Sequence, residues 1–394
     1  MTPPRPHPFT RSKFAKQANR LIASMWERGW TEKPSLEPGH LWSAASDGYS
    51  REDEVSLRSE EDVADFRLRL EKLCASLEAA RLNALGHTMA YGQIKSAIRA
   101  RHALGRLWRS KPEMATTPIA PPIIVLGQMR SGTTRVQRLL AADPQFSGTR
   151  FCDSHNPVPA RPDLRPLKAR AALFIARRVN PWLDTLHPFG ATRTDEEIGW
   201  LAAALSPAAF EAQWRIPAYL QFSERRDASP VYREFSRILR TDAAFHGNAE
   251  RRRVLKCPQF AEDLPALLHE FPDALIVHCQ RDPTDVLASS VSMVASQMAL
   301  QSDEKDVAAL ESEWKRKINL RDERMAKFLT NFSGEYAAAD FDALNAAPHE
   351  MLAEIYSLLG LDYERLAKAN VTKELEQAAN AKFRNHKPRM AGIG

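Results

Sequence analysis

Only four cysteines occur in the 394 residues, and none of Cys74, Cys152, Cys257 and Cys279 forms a C-x-x-C pair. That scarcity argues against a disulfide framework or a zinc ribbon. Two of the four fall in apolar, strand-like runs, so buried free thiols in a reducing compartment are expected. The chain also lacks any run near the roughly 18 apolar residues that a membrane span requires. Its first stretch, "MTPPRPHPFTRSKFAKQANRLIASMWERGW", has no apolar segment of signal-peptide type. A cytoplasmic protein without a transmembrane segment is the expectation. Internal repeats are missing as well. Net charge is +6 with a pI near 9.1, yet the basic residues are scattered among acids and form no stripe. This argues against nucleic-acid binding and for small anionic ligands or acidic surfaces.

What is present is enough apolar material for a large core, with 44% hydrophobic and 26% charged residues. One large domain with an attached region follows, rather than a disordered chain. Phe14, Ala18, Leu21, Ile22, Met25 and Trp26 recur at helical spacing, which predicts a helix over 11–30 whose stripe packs on the main domain. The alternative is a basic amphipathic start lying on a membrane or partner. Pro34, Pro38, Gly39, Gly48 and the acidic "REDE" mark 31–60 as a connecting loop. Val63, Phe66, Leu70, Leu73 and Leu77 then share a helical face, and a second helix covers roughly 88–109. Residues 1–115 are therefore a helical N-terminal region, joined by "KPEMATTPIAPP" to the rest.

Beyond that linker the pattern becomes strand-like. "IIVLG", "RVLK" at 253–256 and "ALIVHC" at 274–279 are short apolar runs that each precede a turn and a helix, with "AEDLPALLHEF" as a crossover helix. Strands alternating with helices predict an α/β domain over 116–394, a P-loop-like parallel sheet flanked by helices on both faces. Residues 165–250 read as a helical, aromatic-rich insert, and residues 303–380 as helical again.

The turn after "IIVLG" carries the chemistry. Gly127, Gly132, Thr133 and Thr134 give G-x-x-x-x-G-T-T, so backbone N–H groups at a helix start are available to cradle an anion. A nucleotide triphosphatase would have lysine where Thr133 stands. Arg130 moves the positive charge inside the loop. In "HCQRDPTDVLASS", Arg281 ends a strand, Asp282 and Pro283 begin a helix, and Ser289 lies about two turns along it. Arg281 and Ser289 thus flank one crevice at the C-terminal end of a strand, the usual ligand position in an open parallel sheet.

"GQMRSGTT" resembles the 5′-phosphosulfate loop of sulfotransferases that use 3′-phosphoadenosine 5′-phosphosulfate (PAPS). The resemblance implies that Arg130, Ser131, Gly132, Thr133 and Thr134 hold the 5′-phosphate and sulfonate oxygens. It also implies that Arg281 and Ser289, eight positions apart as in that family, hold the 3′-phosphate. Lys256 in "RRRVLKCPQF" corresponds to a lysine that contacts the bridging oxygen of the breaking bond in cytosolic members. Their catalytic histidine, two positions on, is replaced here by Pro258.

The general base must then lie elsewhere. The tyrosylprotein branch and a bacterial group of similar length place a carboxylate shortly after the first loop's helix. The matching segment, "DPQFSGTRFCDSHNPVP", offers Asp153 first and His155 second, although Asp153 would equally cap a turn before Pro157. "HPFGATRTDEEIGW" adds His187, Glu196 and Glu197, the last as an orienter of the acceptor or as a solvated helix start. Lys382, Arg384, Lys387 and Arg389 are a basic tail that would close over the 3′-phosphate or simply fray.

The leading expectation is an enzyme transferring a sulfuryl group from PAPS to a small-molecule hydroxyl, apolar or phenolic, without a metal. The alternatives are a P-loop kinase, or a nucleotide-binding protein without sulfotransferase activity. Trp182, Phe189, Trp200, Phe210, Trp214, Tyr219 and Phe222 are expected to be mostly core, with some lining the acceptor pocket. Oligomeric state is not legible.

Overall fold

The computed structural model describes Arg5, residues 7–334 and residues 336–380. The basic tail with Lys382, Arg384, Lys387 and Arg389 lies outside the described residues. The N-terminal region holds α1 (Lys13–Glu27), α2 (Pro38–Ser46), α3 (Arg51–Val55), α4 (Glu60–Glu78), α5 (Ala84–Ser110) and the short α6 (Glu113–Thr116). Residues 31–60 are therefore not a plain loop. Pro38 opens α2 behind the capping carboxylate of Glu37, and Ser50 with Asp53 closes a capping box around the "REDE" turn.

Five strands follow: β1 (Ile123–Leu126), β2 (Phe146–Gly148), β3 (Arg252–Lys256), β4 (Leu275–Gln280) and β5 (Tyr336–Asp340). Their order is β2-β3-β1-β4-β5, and all neighbours are parallel. Successive residues of a strand face opposite sides, and the packing shows it. Ile124, Leu126, Leu255 and Ile276 meet Trp200, Phe235 and Phe260 on one side, while Ile123, Val125, Val254 and Val277 meet Leu139, Phe146 and Tyr356 on the other. Helices cover both faces, which is why the central strands read as unbroken apolar runs.

Between β1 and β3 lie α7 (Thr133–Ala141), α8 (Phe151–His155), α9 (Arg165–Val179), α10 (Leu183–Leu186), α11 (Ile198–Ala202), α12 (Pro217–Glu224) and α13 (Ser229–His246). The crossover helix α14 (Phe260–Glu270) links β3 to β4, and α15 (Pro283–Gln301) and α16 (Val307–Leu329) follow β4. After β5 come α17 (Phe341–Ala346), α18 (Pro348–Leu358) and α19 (Arg365–Asn380). β5 corrects the expectation of an all-helical 303–380. Its "YAAAD" carries little β-branched signal, and pairing along β4 supplies the order that the sequence does not announce.

The N-terminal helices share a core with the insert: Phe66, Leu70, Leu73 and Ile94 pack with Phe210, Trp214 and Tyr219. All four cysteines are buried and free. Helix α1 packs on α5 and α9 through Ala15 and, from its apolar stripe, Ile22, with Trp26 edge-on to His87; the rest of the stripe is not all covered. Phe14 and Leu21 remain 48% and 60% exposed.

Candidate active site

β1 delivers the chain into its loop at the C-terminal edge of the sheet. Gly127, at φ +147°, lies so close to the end of β4 that a Cβ would meet the Cys279 carbonyl oxygen at 2.8 Å. Gly132, at φ +89°, would press a Cβ to 2.8 Å from the Phe341 ring. Both positions exclude other residues for backbone and steric reasons together. Arg130 adopts φ +69° without being glycine, a conformation that costs on the order of 1–3 kcal/mol and gathers at ligand sites. Gln128 braces the loop from behind, donating to the Ile318 carbonyl at 2.9 Å and to Asp322 at 2.8 Å.

The second motif meets the first. Arg130 Nε donates to Ser289 Oγ at 2.9 Å, and Arg281 Nη1 donates to the Arg130 carbonyl at 2.9 Å. Arg281 also lies over the Phe341 ring at 4.3 Å. Burial and the facing Arg281 both lower the pKa of Arg130, so two cations are held together where an anion would relieve them. Ser131 donates to the Gln128 carbonyl at 2.7 Å, and Gly132 is the left-handed N-cap of α7, which Thr133 and Thr134 begin.

Lys256, the last residue of β3, is buried. Its Nζ lies 3.0 Å from Glu196 Oε2. Both line a crevice of about 490 Å³ together with Arg130, Thr134, His155 and His187. The remaining wall is largely apolar, including Phe151, Leu173, Phe189 and Phe210, and α5 contributes Gln93, Ser96, Ala97 and Ala100. A cavity of about 620 Å³ between Arg226, Asp263 and Arg324 holds none of the motif residues.

A sulfotransferase family model matches residues 121–365. The chain belongs to the sulfotransferase family. Sulfotransferase STF1 of Mycobacterium tuberculosis superposes with a TM-score of 0.74 at 27% identity, over 85% of this chain and 92% of that one. Sulfotransferase STF9 of Mycobacterium avium gives 0.76 at 18% identity, over 89% and 90%, and so speaks to the fold alone. Among curated proteins no match is found.

Within this sulfotransferase the candidate bases separate. Asp153 is not brought into the crevice. Its carboxylate is held by Arg150 at 2.6 Å, Arg165 at 3.2 Å and His246 at 3.2 Å. Although burial opposes ionisation, these partners keep its pKa well below the usual carboxylate range. Glu197 is turned away too. It is fully buried and accepts from the Lys256 backbone N–H at 2.7 Å, and burial pushes its carboxyl up to about 8. It fixes the end of β3 rather than facing a substrate.

His155 lines the crevice with its side chain still exposed, and the surrounding protein lowers its pKa against the pull of nearby Glu196. His187 Nε2 lies 3.1 Å from Asp195, and desolvation followed by Arg138 holds it well below its ordinary value. Burial and the Glu196 charge raise Asp195 to about 7. Nothing in the sequence signals the α5 wall or the pairing of Asp195; only the acid run "DEE" marks the segment. Among the aromatics, Trp200, Trp214 and Tyr219 are core, whereas Phe189 and Phe210 line the crevice.

Proposed function

We propose that this sulfotransferase moves a sulfuryl group from PAPS to the hydroxyl of an apolar or phenolic small molecule. The observation that supports it most is the meeting of Arg130, Arg281 and Ser289 beside the glycine loop, with Lys256 on the adjoining crevice wall. Two anion-holding elements there suit a ligand with two phosphate groups. The loop fits the donor because Gly127 and Gly132 let backbone approach a phosphate without side-chain hindrance. Arg130, the loop amides, Ser131, Thr133 and Thr134 would hold the 5′-phosphate and sulfonate oxygens, and Arg281 with Ser289 the 3′-phosphate.

A bound donor supplies the sulfuryl group, and its transfer leaves the 3′,5′-bisphosphate. Lys256 neutralises the leaving oxygen, an interaction that strengthens as charge builds there and so lowers the barrier rather than only tightening binding. Asp195, Glu196 and Glu211 are the carboxylates on the crevice wall; Glu196, 3.0 Å from the Lys256 ammonium, is the one that takes the proton of the acceptor hydroxyl. Its pairing with Lys256 holds both groups in place beforehand. His155, neutral and nearby, lines the acceptor's path, while Phe151, Phe189 and Phe210 exclude water and favour an apolar acceptor.

Isothermal titration with 3′-phosphoadenosine 5′-phosphate, 5′-AMP and ATP with Mg²⁺ tests the donor. The bisphosphate should bind most tightly. Preference for ATP with Mg²⁺ would return the site to the kinase class.

A further inference from the structure

Helix α9 carries a surface that the catalytic reading does not use. Leu164, at its N-cap, and Leu167, Phe174 and Ile175 are 50%, 58%, 59% and 59% exposed. At 100° per residue these four, with Ala171, fall on one arc of the helix. The arc is rimmed by exposed Lys168 and Arg170, exposed Arg178 lies within it at the C-terminal end, and the helix contains no acidic residue. Arg178 lies over the Phe174 ring at 4.9 Å. Lys168 and Arg170 enter no ion pair among the described residues, whereas the inward Arg165 is spent on Asp153 and Asp163. The opposite side of α9 is committed: Ala169 and Leu173 are buried, and Leu173 with Ala176 lines the crevice.

Helix α1 extends the same character. Ser12, its N-cap, donates to the carbonyl of Val179 at the end of α9 at 2.7 Å, and α1 exposes Lys13, Phe14, Lys16, Arg20 and Leu21. Apolar side chains of this size left in water beside unpaired cations are the pattern of a helix lying in the plane of a lipid headgroup layer. Fifteen residues give α9 a length of about 22 Å. Among the described residues no helix is long and apolar enough to cross a membrane, so the contact would be interfacial.

We propose that the outward face of α9, flanked by the start of α1, docks on an anionic lipid bilayer. Bilayer rather than protein is indicated by charge: the basic rim complements a negatively charged headgroup layer, and Phe174, Ile175 and Leu167 are long enough to enter the acyl boundary. Docking sets one wall of the acceptor crevice against the membrane, because the same helix separates the two. An apolar acceptor dissolved in the bilayer would then reach Glu196 and Lys256 without crossing bulk water.

Vesicle binding tests the docking without any turnover assay, so an inactive enzyme leaves the result readable. The full chain is sedimented with phosphatidylcholine vesicles and with vesicles containing about 30 mol% phosphatidylglycerol. Partitioning should favour the anionic vesicles by tenfold or more and collapse at ~1 M salt, where the Debye length is about 3 Å. Phe174→Ser with Ile175→Ser should reduce it at least tenfold, with the melting temperature unchanged because both side chains are exposed. Lys168→Glu with Arg170→Glu should reduce it by roughly fivefold per cation, and this pair carries the test if the first fails to fold. Equal partitioning onto both vesicles, or no change in either double variant, overturns the proposal. So does self-association of the wild type that Phe174→Ser with Ile175→Ser abolishes, since a second copy would then cover the face.

Discussion

Arg130 reaches 159 residues along the chain to place Nε 2.9 Å from Ser289 Oγ. The glycine loop and the helix after β4 are thereby one connected unit, with Arg281 joined to it through the Arg130 carbonyl. Removing Arg281 should therefore be felt by only one end of a doubly phosphorylated ligand. Arg281→Ala should weaken the 3′,5′-bisphosphate by roughly 1.5–3 kcal/mol, the worth of a charge-assisted contact, and leave 5′-AMP nearly unchanged. Equal loss for both nucleotides in a titration would show that Arg281 merely supports the loop.

Glu196 and Asp153 make opposite predictions. Glu196→Gln keeps the shape, removes the basicity and should lower turnover by roughly 10²–10⁴ with bisphosphate affinity near wild type. Asp153→Asn removes one of the counter-charges of Arg150, Arg165 and His246, leaving them Asp163 and Asp242, and should cost about 1–3 kcal/mol of stability, while turnover of the folded enzyme persists. Stopped turnover in Asp153→Asn at intact stability would restore Asp153 as the base. His155→Ala, assayed alongside, should lose far less than Glu196→Gln.

Burial raises Glu197 to about 8, above the ordinary carboxyl value, so between that value and pH 8 the folded state holds a proton that the unfolded state has released. Stability contributed by this group must then fall as pH rises through that window. Glu197→Gln removes the titration while retaining an oxygen for the Lys256 N–H. Denaturant melts from pH 5 to 8 should show a shallower decline in the variant than in the wild type. Parallel curves would mean that Glu197 titrates normally.

His187, Asp195 and Glu196 bring ligating atoms within 4.8 Å of one another. Protein cations already serve that cluster: Arg138 lies 3.6 Å from Asp195 and Lys256 3.0 Å from Glu196. Excess EDTA should leave turnover unchanged. Loss on chelation that Mg²⁺ restores would instead support phosphoryl transfer.

The parts of the site that were legible in sequence are those carried by local pattern. A β-branched run followed by two glycines and an arginine puts a glycine loop at the head of α7, and the Arg281–Ser289 spacing is a property of one strand end and one helix. The directions of Asp153 and Glu197 are not legible in sequence because they are set from afar, by Arg165 and His246 in one case and by the β3 backbone in the other. Their own segment gives no hint of either. Ser50 and Asp53 were a readable capping box inside a stretch dominated by proline and glycine. β5 was not readable, since three alanines become a strand only where β4 offers an edge.

Gln128 has a consequence for the order in which the molecule is made. Its amide is anchored to Ile318 and Asp322 on α16, and Arg130 to Ser289 on α15, so the loop's scaffold is synthesised nearly 200 residues after the loop itself, counting from the separation of Gln128 and Asp322. On the ribosome the glycine loop therefore emerges long before anything can hold it in its strained form. A nascent chain ending before residue 318 carries the whole motif, with Ser289 and Arg281 to meet Arg130, but not the α16 anchors of Gln128.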